Sequence, residues 1–98
     1  MNAAAFPSAF FYNAVANFNL ARLDPAVESA RKFKILDTEH RHPDVCLLLG
    51  QIFIQKKDYA SAAQEMRAYL ALAPNASNAD AARLTLKQLE EAMVAKKQ

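Results

Sequence analysis

Apolar residues return along this chain every three or four positions, with polar residues between them, which is the spacing of one buried face on an α-helix. The clearest stretch is Pro43 to Ala76, PDVCLLLGQIFIQKKDYASAAQEMRAYLALAPNA. Its first half sets Cys46, Leu49, Gly50 and Phe53 on one stripe, and its second half does the same with Tyr59, Ala62, Met66, Tyr69 and Leu70. The polar break Gln55-Lys56-Lys57-Asp58 separates them, and Pro74-Asn75 follows. The pattern predicts a helix from Pro43 to about Gln55, then a second, capped by Asp58, to about Leu72. Upstream, Phe11, Ala14, Val15 and Phe18 form a stripe on a helix expected from about Ser8 to Leu20, with Asn13, Asn17 and Asn19 off it. Asp24-Pro25 reads as the start of a second helix, aspartate as cap and proline in the first helical position, with Leu23, Ala26, Val27, Ala30 and Phe33 on its buried side. Downstream, Ser77-x-x-Asp80 has the form of a capping box for a helix from about Asn78 to Ala95, whose stripe is Ala82, Leu86, Leu89 and Met93.

The small residues set how these helices meet. Helix axes approach closely only where side chains have little bulk, and Gly50 and Ala62 lie where the central pair would touch. Gly50 is the only glycine in the chain, and a mid-helix glycine costs about 1 kcal/mol relative to alanine, so a packing role is expected for it.

Cys46-x2-Leu49-Gly50-x2-Phe53, then Ala62-x3-Met66, then Pro74 resembles the tetratricopeptide repeat, with Cys46 in the place of the usual tryptophan. The Asp58-Tyr59 turn and the Leu70-x-Leu72-x-Pro74-Asn75 ending are similar to the family as well. A more degenerate copy precedes it: Phe11-x2-Ala14-Val15-x2-Phe18 stands for the first half and Ala26-x3-Ala30 for the second. In this alignment the first hairpin's turn is one residue shorter, Thr38 stands where Pro74 stands later, and the linker through Glu39-His40-Arg41-His42 is about two residues longer. The last helix departs from the pattern, with Asp80 in the aromatic place and Arg83-Leu84 for Leu-Gly, and its Lys87, Glu90 and Glu91 suit the polar face of a terminal cap. The expected fold is therefore all-α: antiparallel helix hairpins in an α–α superhelix, one domain made of a degenerate repeat at 8–38, a well-formed repeat at 43–76 and a capping helix at 77–95. Two repeats fall below the three or so that such arrays ordinarily need, so something is expected to cover the first hairpin: further repeats, a second copy, or a partner.

Composition agrees with this class. Ninety-eight residues suffice for one small domain burying roughly 60–65 % of its unfolded surface. Abundant alanine and the near absence of glycine favour helix. A net charge of +2 with both signs interspersed announces no strongly charged partner, and one cysteine forms no internal disulfide. No apolar run reaches the ~20 residues of a membrane helix, and MNAAAFPSAFF lacks the positive start of a signal peptide, so localisation stays open. Arg31-Lys32-Lys34 and Lys56-Lys57 are interrupted by acids, which suits a solvated face better than a nucleic-acid or membrane surface; no nucleic acid and no membrane are expected as partners.

The one concentration of ligand-type residues is Glu39, His40, His42, Asp44 and Cys46. With a single cysteine on a predicted core stripe and no second ligand pair, it does not compose the four-ligand set of zinc, and the expectation is no metal and no cofactor. A thiol on a buried stripe is a small hydrophobe rather than a nucleophile, there is no glycine-rich phosphate loop, and no enzyme activity is expected.

The resemblance implies a protein-interaction module whose first helices line a concave face. On that face it places Tyr12, Asn13, Ala16 and Asn19 from the first repeat and Asp44, Leu47, Leu48, Gln51, Ile54 and Gln55 from the second as the candidate peptide groove. The amides suit an extended peptide, and Leu47, Leu48 and Ile54, apolar yet off the core stripe, either meet a ligand or pack on neighbouring helices. The family's clamp for C-terminal carboxylates is not expected, because Tyr12, Ala16, Leu48, Asn78 and Ala82 occupy its places. The implied partner is a protein or peptide segment, on a chain that is whole or a piece of a longer repeat protein. The alternative is a homodimer through the first hairpin that buries Phe10 and Tyr12.

Overall fold

The computed structural model describes residues 8–37 and 42–97. They form five helices and no strand: α1 Ser8–Asn19, α2 Leu23–Leu36, α3 Asp44–Gln55, α4 Tyr59–Leu72 and α5 Ala79–Lys97. The all-α expectation holds, and the helix ends fall within two residues of the expected ones. Short turns join α1 to α2 and α3 to α4, and both pairs pack together, so each is an antiparallel hairpin. Beyond these pairs, α2 and, less extensively, α1 pack on α3, while α5 packs on α4.

The two hairpins share one turn. In the first, the N–H of Arg22 donates to the Asn17 carbonyl and that of Ala21 to Phe18; in the second, Asp58 donates to Phe53 and Lys57 to Ile54. This is the Schellman pairing, and it requires a left-handed residue just past the helix. Ala21 at φ 59° and Lys57 at φ 62° fill that place. The next residue already caps the following helix: Arg22 at φ −91°, ψ 78° and Asp58 at φ −94°, ψ 77°. A shift of 36 positions thus carries one turn onto the other, and helices of 12 and 14 residues flank both.

That correspondence corrects the expected register of the first hairpin. The turns are of equal length, so Phe10, Asn13, Ala14 and Asn17, rather than Phe11, Ala14, Val15 and Phe18, match Cys46, Leu49, Gly50 and Phe53. Asp24 is also not the cap of α2. The cap residue is Arg22, which makes no side-chain capping bond, and Asp24 pairs with Lys56 of the second turn. The reason lies first in Arg22, whose guanidinium carries donors only and cannot accept an N–H, and then at Pro25. Asp58 accepts the N–H of Ser61 at 3.2 Å, but the matching position in α2 is Pro25, which has no N–H to offer. At α5 the expected capping box gives way to an ion pair, with the Arg83 guanidinium donating to the Asp80 carboxylate and to the Pro74 carbonyl, both at 2.8 Å.

The core runs through both hairpins. Ala14, Ala26, Val27, Ala30 and Phe33 are buried in the first, and Val45, Cys46, Leu49, Ile52, Phe53, Ala62, Ala63, Met66 and Tyr69 in the second, with Ala82 and Leu89 added by α5. Gly50 lies at the crossing of α3 and α4, where a side-chain carbon would meet the Met66 Cε at 2.6 Å and the Ala62 carbonyl oxygen at 3.7 Å. Polar links fasten one hairpin to the next. Lys34 of α2 donates to both carboxylate oxygens of Glu65 in α4, at 2.9 and 3.4 Å, and Lys56 of the second turn pairs with Asp24 of α2; within the first hairpin, Asn13 of α1 donates to the buried Ser29 hydroxyl of α2 at 2.7 Å.

Candidate functional site

The ten residues of the expected groove do not all line one recess. Leu47, Gln51 and Ile54 come together in a recess of about 260 Å³ between α3 and α5, facing Asn78, Ala81, Ala82 and Thr85, with Met66 of α4 also in its wall. Helical spacing brings the α3 members together, since 47, 51 and 54 stand one turn apart. The recess exists because α3 and α5 both pack on α4. Among the described residues its wall contains no charged side chain; the polar groups are the amides of Gln51 and Asn78 and the Thr85 hydroxyl. Those groups both donate and accept, as an extended main chain requires.

Tyr12 and Asp44 meet elsewhere. They line a second recess of about 210 Å³ with Phe11, Phe33 and His42, where α1 and the end of α2 approach the start of α3. The His42 N–H donates to the Asp37 carboxylate at 2.9 Å, which anchors the chain as it enters α3.

Leu48 is a core residue at 9 % exposure, so one of the three off-stripe apolar residues is accounted for by packing on neighbouring helices; Leu47 and Ile54 are half-buried against the core. Asn13 is exposed but committed to Ser29, while Ala16, Asn19 and Gln55 are exposed and line neither recess. Sequence reasoning named Asn78 and Ala82 only as filling the places of a carboxylate clamp and missed Ala81 and Thr85 of α5, although their spacing on one helical face was available as a signal.

Cys46 is buried, and burial pushes its thiol pKa up; the Lys34 ammonium opposes this, while the charge of Glu65 and a hydrogen bond to it add to it. A thiol so placed is kept from the thiolate form that nucleophilic attack needs. Among the described residues no three His, Cys, Asp or Glu side chains converge on a point; Glu39 and His40 of the expected cluster lie outside those residues. Four of the five residues in the basic runs have partners: Lys32 with Glu28, Lys34 with Glu65, Lys56 with Asp24, and Arg31 over the Phe53 ring. No described helix is long and apolar enough to cross a membrane. No family model, curated protein or solved structure matches the chain.

Proposed function

We propose that the chain is a protein-interaction module of the tetratricopeptide type, two repeats and a capping helix, that holds a peptide or protein segment in the recess between α3 and α5. The observation that carries this reading is the recess itself: a wall with no charged side chain among the described residues, in which Leu47 and Ile54 offer apolar surface and Gln51, Asn78 and Thr85 offer paired donors and acceptors. The equal hairpins and their shared turn support the repeat assignment. Peptides selected against the chain from a random library provide the test. Gln51→Lys puts a charge into the recess from an exposed position, and should abolish binding while leaving the helical circular dichroism and the melting temperature unchanged. Selected peptides that bind this variant as well as the parent would remove the reading.

Self-association is the second reading, and a specific observation favours it. Tyr12, Leu20 and Ile35, all of the first hairpin, are 70, 64 and 73 % exposed. Phe10, by contrast, is already half-buried with the Lys32 ammonium over its ring, so Tyr12 is the better probe of a symmetric contact. Molar mass by light scattering across a concentration series decides: a dimer that Tyr12→Asp dissociates supports this reading, and a monomer throughout removes it.

A further inference from the structure

The outer side of α5 is not uniformly polar. Its inner side is fixed by Ala82 and Leu89, which are buried, and by Leu86 and Met93, which pack against the core. On the outer side Leu84 and Val94 are 58 and 59 % exposed. Lys87 and Glu91 stand between them, both exposed, and neither has an ion-pair partner among the described residues. The neighbouring charges are engaged, Glu90 with Arg67 and Arg83 with Asp80. Leu84, Lys87, Glu91 and Val94 follow one another at steps of three, four and three residues, the spacing of a seam between two helices, and together span about 80° of the helix circumference. An open recess of about 400 Å³ lies along the same side, lined by Lys87, Glu90, Glu91, Val94 and Ala95.

The order of these four residues is complementary to its own reverse. Leu84 and Val94 stand five residues to either side of Leu89, and Lys87 and Glu91 stand two residues to either side of it. Two copies of α5 laid antiparallel about a two-fold axis at that point set Leu84 of each against Val94 of the other, and Lys87 of each against Glu91 of the other. A parallel pairing would set lysine against lysine and glutamate against glutamate. We infer that α5 pairs antiparallel with α5 of a second copy of this chain along the seam Leu84, Lys87, Glu91 and Val94. The charges specify both the occupant and its direction, while Leu84 and Val94 supply the apolar burial. The recess beside Val94 and Ala95 receives the Leu84 side chain of the other copy. Four seam residues a side fall well short of the roughly 20–30 of a standard interface, so the dimer is weak, with a Kd of roughly tens to hundreds of micromolar. The seam includes no residue of the first hairpin and none that lines the recess between α3 and α5, so the inference does not rest on the peptide reading.

Sedimentation equilibrium of the intact chain from about 10 µM to about 1 mM reads the dimer directly. Lys87→Glu and Glu91→Lys each set like charges opposite one another, and each should weaken the dimer at least about tenfold. Both changes in one chain should restore it, because the order of charges is then merely exchanged. An equimolar mixture of the two single variants should restore it as well, since one seam is then wholly acidic at these two positions and the other wholly basic. Both side chains are exposed, so all the variants should keep the helical circular dichroism of the parent. Tyr12→Asp should leave this dimer unchanged, which separates it from self-association through the first hairpin. A chain that stays monomeric to the highest concentration, a dimer that the single charge variants leave intact, or single variants that remain monomeric when mixed overturns the inference.

Discussion

Gly50 offers the sharpest test of how the second hairpin is packed. A side-chain carbon placed there would come within 2.6 Å of the Met66 Cε, whereas the nearest backbone atom, the Ala62 carbonyl oxygen, stands at an ordinary 3.7 Å. The glycine is therefore needed for the methionine and not for the approach of the helix axes. A thioether end has free torsions and can swing aside, at roughly 0.5–1.5 kcal/mol for an imperfect rotamer. Against this, alanine favours a helix interior over glycine by about 1 kcal/mol. Gly50→Ala should then leave stability within about 1 kcal/mol of the parent. In a Met66→Ala background, itself destabilised by about 2–5 kcal/mol through the cavity it leaves, the same change should stabilise by about 1 kcal/mol, because nothing stands in its way. The double variant re-creates the first hairpin, where the matching positions are Ala14 and Ala30, both fully buried. Urea denaturation followed by helical circular dichroism gives all four stabilities, with equal m-values as the check that the states compared are the same. A loss above about 2 kcal/mol for Gly50→Ala in both backgrounds would refute the reasoning, since the backbones would then be the constraint.

Four more outcomes follow from particular residues. Lys57→Gly should stabilise by about 0.5–1 kcal/mol in the same urea assay, because Lys57 holds a left-handed φ of 62° that glycine adopts without strain. Asp58→Ala should lose about 1 kcal/mol with its cap on Ser61; because the hydrogen bonds from Ser61 hold the Asp58 carboxyl below its ordinary range, this contribution is whole above the unfolded-state pKa and fades as pH falls from about 4 through the folded-state value, and stability curves for the Asp58→Asn variant should lack that fading component. A double-mutant cycle with Lys34→Met and Glu65→Gln should show a coupling of about 1 kcal/mol, and a value near zero would mean that the pair does not fasten the hairpins. Cys46 should react with iodoacetamide in the folded chain at least ~100-fold more slowly than in urea, since attack requires exposure of a buried, protonated thiol; mass spectrometry over time measures it.

Most of the fold was legible because the hydrophobic stripe is strong and the helix starts carry ordinary chemistry. Asp58 before Tyr59 announces a cap, and the cap is there. The first hairpin was read one residue out of register in α1 for a physical reason. Its turn needs a left-handed residue, the usual sign of which is glycine, and the chain places Ala21 there. Asp24-Pro25 then looked like a helix start, although the backbone had already entered α2 at Leu23. Of the candidate site, Leu47, Gln51 and Ile54 were named through the resemblance, which places them on one face of α3, and the recess does bring them together. The division into two recesses was not legible, because it depends on which helix leans on which neighbour, and spacing within one helix carries no such information.

That dependence explains why matching positions differ in fate. Tyr12 and Leu48 correspond under the 36-residue shift, yet Tyr12 is 70 % exposed and Leu48 only 9 %. The difference lies in what adjoins the helix: α3 has α1 and α2 packed on it, while no described helix stands in that relation to α1. A leucine suits the first situation, since burial of its side chain returns about 1.5–3 kcal/mol. A tyrosine suits the second, since its hydroxyl remains with water while its ring remains available for contact. The same face of two matching helices is thus core where a neighbour covers it and exposed surface where none does. On this argument Tyr12→Leu should add little stability to the chain alone while removing the polar end of the exposed ring. If the first hairpin is covered by a second copy, the substitution should strengthen self-association, read as a dimer persisting to lower concentration in light scattering; an unchanged molar mass at every concentration would refute that covering.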